Sequence, residues 1–101
     1  MAHPRVIIEQ ERDAPRGWTF RVRVAPPPGD ERAGDDLREV RLSWVDHEYW
    51  SHGQCPPSGV VAALVGLLLE HDALGTLGES FDAAAARRVL PILDDELPRR
   101  L

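Results

Sequence analysis

Apolar and polar positions alternate most cleanly in "WTFRVRVA", residues 18–25, with Trp18, Phe20, Val22 and Val24 on one face and Thr19, Arg21 and Arg23 on the other. That period of two predicts a half-buried strand. "RVIIEQER" (5–12) is rich in β-branched residues and turns polar as it proceeds, and "DAPRG" (13–17) lies between the two runs with turn residues. Together they predict a hairpin. "LREVRLSW" (37–44) alternates again, with Val40, Leu42 and Trp44 opposite Glu39 and Arg41. It predicts a third strand with Trp44 on its inward face. "PPPGDERAGDD" (26–36) is a loop, because its prolines lack donors and fix φ.

Past residue 44 the pattern becomes helical. Ser43 followed by Asp46 resembles a helix start, with a carboxylate in the first turn, and Gly53 is the expected breaker. Pro56 and Pro57 suit the first turn of a second helix that runs to about His71. "ALGTLGES" (73–80) reads as a connection, Asp82 as the cap of "AAAARRVL", and Pro91 as a kink or break before "ILDDEL". The prediction is a single α+β domain over 1–101. A three-stranded antiparallel sheet, a β-hairpin plus a third strand over about 5–44, is followed by two to four helices over about 44–97. Those helices pack on one face of the sheet, because a sheet with one apolar face needs a cover.

One helix is unusual. "VVAALVGLLL" (60–69) has no polar residue over ten positions, where a surface helix should show a polar face. One reading makes it a central helix sandwiched between the sheet and the C-terminal helix. The other turns one side, carried by Val60, Val61, Leu64, Leu67 and Leu68, toward a second copy of the chain as a homodimer interface. Gly59, Ala62, Ala63 and Gly66 form a small-residue side that would let another backbone approach.

Composition narrows the function classes. A chain of 101 residues fits one domain. Its net charge of −5 argues against a nucleic-acid backbone partner and against an anionic membrane. Lysine is absent, and every basic side chain is arginine. A single cysteine cannot form an internal disulfide, which fits a reducing compartment. The first residues lack the basic and long apolar regions of a signal peptide. The ten-residue apolar run falls short of the roughly 20 residues a spanning helix needs. A cytoplasmic protein without a membrane or cofactor is expected.

Candidate chemistry concentrates in "WVDHEYWSHGQCPP" (44–57). His47, His52 and Cys55 have the ligand types of a zinc site, in the spacing H-x4-H-x2-C. Cys55 would precede a helix N-terminus, which favours a thiolate, with His52 as a possible base. Against both stands packing: Trp44, Tyr49 and Trp50 can fill the junction between sheet and helix, with Tyr49 or Trp50 returning to the core. Packing is the favoured reading, and a metal- or thiol-dependent activity is its alternative. Arg21, Arg23 and Arg41 should share the outer sheet face with Glu9, Glu11 and Glu39 as a cross-paired surface. Arg87 and Arg88 suit a helix C-terminus. Asp94, Asp95 and Glu96 read as a solvated acidic face, and His3 as a possible amino-terminal copper ligand.

The order of features resembles a group of small uncharacterised bacterial proteins. Members combine strands, a short helix, a Pro-initiated helix ending in "LLxE", then "SFD" and an aromatic–Pro pair. The matching residues are Pro57, Leu67, Leu68, Leu69, Glu70, Ser80, Phe81, Asp82, Leu90 and Pro91, with Leu90 where an aromatic is common. The resemblance covers about the last half of the chain. It implies a fold and a bacterial origin but no reaction. The expectation is therefore a non-enzymatic protein that acts through a protein–protein interface, as a homodimer.

Overall fold

The computed structural model describes residues 4–29 and 34–101. Strands β1 (Arg5–Ala14), β2 (Gly17–Ala25) and β3 (Asp36–Ser43) form an antiparallel meander. Helices α1 (Trp44–Ser51) and α2 (Pro57–Glu70) follow. A 3-10 turn at Leu74–Thr76 leads into β4 (Ser80–Asp82), then α3 (Ala83–Val89) and α4 (Leu93–Arg100). Among the described residues the fold is α+β with four helices, within the two to four that the pattern predicts.

The sheet is a correction. Among the described residues it has four strands in the order β1-β2-β3-β4, and β4 pairs parallel to β3, with Val40 opposite Phe81. The sheet is mixed rather than purely antiparallel. Three residues cannot display a period of two, so "SFD" shows no strand signal of its own. Its pairing is set by the buried Phe81 and by Glu39 N–H, which donates to the Glu79 carbonyl at 2.7 Å.

The hairpin turn also differs in detail. The left-handed residue is Arg16, at φ 59°, rather than Gly17. Gly17 is required for another reason: it sits opposite Ser43, and a Cβ there would run into the backbone carbonyl of Leu42. In β1 the register shifts between Ile8 and Gln10, a bulge at Glu9. The bulge inverts the alternation beyond it. Glu11 therefore lies opposite Phe20, on the inner face, and not with the outer arginines.

Phe20, Val22, Val40 and Leu42 form the sheet side of the core, each fully buried. Against them lies α2, whose main strand contacts are with β1, and α4 packs on α2 in turn. The apolar helix is thus the sandwiched one. Val60, Val61, Leu64, Leu67 and Leu68 are each 0% exposed within one copy of the chain. The residues expected at an interface are core residues, because sheet and α4 between them consume both apolar sides of the helix. One hydrophobic cluster runs from Phe20 on the sheet to Leu97 on α4. The Cα radius of gyration is 13.0 Å, the value expected of one folded unit of about 100 residues. Among the described residues, no helix is long and apolar enough to cross a membrane.

Candidate functional site

The local sequence folds α1 as its caps dictate. Ser43 Oγ accepts from Asp46 N–H at 3.1 Å, and His52, left-handed at φ 52°, closes the helix by donating its N–H to Glu48 O at 2.8 Å. Trp44 N–H donates to Arg16 O at 2.8 Å, which ties the helix start to the hairpin turn. An eight-residue helix with this anchoring divides into two faces. Asp46, Trp50 and Ser51 are buried. Trp44, Val45 and Tyr49 point away from the core and are 57%, 76% and 51% exposed.

The packed-junction reading is therefore right for Trp50, at 1% exposure, and wrong for Trp44. The strand ends at Ser43, so its alternation does not carry through to residue 44. The first residue of the helix swings outward instead.

Asp46, Trp50, Arg87 and Asp94 build a network that joins α1, α3 and α4. Arg87 Nη1 lies 3.2 Å from Asp46 Oδ1, and Arg87 Nε lies 2.9 Å from Asp94 Oδ1. Trp50 Nε1–H donates to Asp94 Oδ1 at 3.1 Å. The Arg87 guanidinium carbon sits 4.9 Å from the centroid of the Tyr49 ring and 5.6 Å from that of Trp50. Burial alone would raise the Asp94 carboxyl. The hydrogen bonds from Arg87 and Trp50, with the guanidinium charge, outweigh burial and hold it below the ordinary carboxylate range. The acidic run at 94–96 is thus not uniformly solvated, since Asp94 turns inward. Sequence reasoning placed Arg87 only as a dipole partner. The signal it passed over was a pair of first-turn acids on two helices and a last-turn arginine pair on a third.

His47, His52 and Cys55 do not gather into one ligand set. His47 Nε2–H donates to the Cys55 carbonyl oxygen at 2.6 Å, and its ring meets Trp18 edge-on with centroids 5.3 Å apart. The nitrogen that faces Cys55 is therefore engaged by backbone rather than by the thiol. His52 is exposed at the helix end. It shares a shallow groove of about 380 Å³ with Trp50, Gln54, Cys55, Pro98 and Leu101. Cys55 Sγ rests against Gly59, where a Cβ would come within 2.9 Å of the sulfur. Among the described residues, no three His, Cys, Asp or Glu side chains gather as a metal-ligating group. His3 lies outside the described residues.

The outer sheet face is cross-paired. Arg12 meets Glu39 at 3.0 Å, Arg23 meets Glu9 and also Asp35 at 3.2 Å, and Arg41 meets Asp82 at 3.6 Å. These are exposed or half-exposed pairs of small energetic weight. Arg38 was missed. It stands at an inward position of β3, only 11% exposed at its side chain. It grips Asp36 with two bonds and donates from Nη1 to the carbonyls of Leu74, Leu77 and Gly78. An arginine in phase with Val40 and Leu42 is the signal that could have found it. Comparison with protein-family models, with curated proteins and with solved structures finds no match to this chain.

Proposed function

We propose that this chain is a non-enzymatic, cytoplasmic interaction domain that works as a homodimer and binds a protein partner through the outer face of α1. The observation that carries this reading is the exposure of Trp44, Val45 and Tyr49 within two helical turns. Tryptophan and tyrosine dominate binding energy at protein interfaces, where they bring large area at low entropic cost. The backbone N–H of Trp44 ties the start of α1 to the hairpin turn, and the Tyr49 ring is backed by the Arg87 guanidinium. Glu48 lies exposed on the same face, and the chain carries −5 overall. The partner that fits is a protein patch of apolar side chains with a basic rim. The non-enzymatic part of the reading rests on where the polar groups go. His47 Nε2, Asp46 Oδ1, both Asp94 oxygens and the Arg38 guanidinium all bond within the chain.

The test compares the proteins captured by the wild-type chain with those captured by a Trp44→Ser/Val45→Ser variant. Candidates are then purified and titrated. Both positions are exposed, so the fold should survive at a cost within about 0.5 kcal/mol. The expected result is a partner that binds the wild type and binds the variant weaker by about tenfold or more. Equal binding of every captured protein to both chains would overturn the proposal.

A further inference from the structure

β1 is an edge strand of ten residues, and among the described residues its backbone bonds only to β2. Such an edge is a template for another strand. The opposite edge, β4, is only three residues long and offers little. The question is which strand β1 fits.

Its first half fits itself. A two-fold axis perpendicular to the sheet keeps inner faces with inner faces, so the only allowed antiparallel registers place one residue opposite its own copy. Centred on Ile7, the segment "RVIIE" pairs Arg5 with Glu9, Val6 with Ile8 and Ile7 with Ile7. At both ends Arg5 comes opposite Glu9, which also meets Arg23 of its own chain, and β-branched residues meet throughout the middle. Centring on Val6 would put Ile7 opposite Arg5, and centring on Ile8 would put it opposite Glu9. The neighbouring registers are therefore poor. The bulge at Glu9 breaks the alternation just where this pairing ends, and the polar remainder of the strand takes no part. Ile7 is 37% exposed on the outer face, where a second Ile7 would cover it.

A second observation lies on the same flank. Of the strands, β1 is the one α2 packs on most. The half-exposed side of α2 carries Ala62, Gly66 and Leu69. Gly66 has no atom within 4 Å of where a Cβ would stand, and with Pro4 and Leu69 it lines an open groove of about 540 Å³. A two-fold through Ile7 brings this small-residue side toward its own copy, where it permits close approach of the two helices.

We infer that the chain dimerises by antiparallel pairing of β1 with β1 of a second copy, centred on Ile7, to give one continuous eight-stranded sheet. This rests on the homodimer reading and assigns it a surface other than the buried side of α2. Light scattering across a range of concentrations should give twice the 11.3 kDa of one chain. Ile7→Lys sets two like charges face to face at the axis and should give a monomer with unchanged circular dichroism. In a Cys55→Ser background, Ile7→Cys should be joined into a covalent dimer by a short bismaleimide. Arg12→Cys should not, since its copy would lie roughly 30 Å away by strand rise. A dimer that survives Ile7→Lys and is not crosslinked through Ile7→Cys overturns the β1 pairing while leaving the homodimer reading intact. A wild-type chain that stays monomeric at every concentration overturns both.

Discussion

Asp94 belongs to α4, yet it accepts from Trp50 of α1 and from Arg87 of α3. Its carboxylate is thus the point at which three helices meet. Because the folded state holds the carboxyl below its ordinary value of about 3.8, folding is favoured by the ionised form. The sign follows directly. The stabilisation is present in full above the unfolded value. It declines as the pH falls below that value, and it is gone once the folded carboxyl is protonated too. In Asp94→Asn the amide oxygen can still accept from Trp50, but the charge is lost. Urea unfolding should find the variant less stable than the wild type near neutral pH, with the difference shrinking as the pH falls through about 4 toward 3. A difference that stays constant over that range would mean the carboxylate charge plays no part. The two partners, Trp50 and Arg87, sit 44 and 7 residues from Asp94. No local spacing in the sequence announces such a triad. Its members carry familiar local signs instead, a first-turn acid, a buried aromatic and a last-turn arginine, and each sign is sufficient alone.

Elements were most legible where a local rule fixes them. Alternation marked β2 and β3, Asp82 caps α3 by accepting from Ala84 N–H at 3.0 Å, and Pro57 opens α2. Pro91 does separate α3 from α4, although α4 continues through Pro98 to Arg100. Legibility failed where partners distant in sequence decide. β4 exists because β3 offers an edge, and Arg38 is held by carbonyls of the 74–78 turn. Trp44 departs for a local reason, since the strand ends one residue earlier. The candidate site was legible as a stretch and not as an arrangement. Residues 44–57 do form a junction, but its exposed aromatics and its salt-bridge network depend on α3 and α4. Within α2, Gly66 is a position where element-level physics makes a prediction of its own. It lies inside a 14-residue helix, has no positive φ, and faces open space. In the monomeric Ile7→Lys background, Gly66→Ala should raise stability by about 0.5–1 kcal/mol, through reduced freedom of the unfolded chain and better helix propensity. Denaturant unfolding checks the sign, and a loss of stability would show that the flank of α2 is already filled.

At the scale of the whole molecule, the cluster that contains Phe20 and Val40 of the sheet also contains Trp50, Leu64, Phe81, Leu93 and Leu97. No helix has a separate core to retain if the sheet is lost, and the sheet has one face covered only by helices. A chain of this size with a shared core should unfold in one cooperative step. The three tryptophans make this readable. Trp18 sits on β2 against His47, Trp44 is exposed at the start of α1, and Trp50 is buried beside Asp94 of α4. Fluorescence therefore follows the α1 junction and the α4 contact, while far-ultraviolet circular dichroism follows all helices and strands. The two transitions in urea should coincide. Helices that melted before the strands would separate them, with fluorescence moving first, and would show that the α1–α4 layer is a distinct unit laid on an independently stable sheet. Coincidence has a consequence for binding as well. If the α1 face, the Asp94 network and the β1 edge belong to one cooperative unit, a partner that binds only the folded chain at α1 raises the stability of the edge strand by mass action, although it touches no residue of β1.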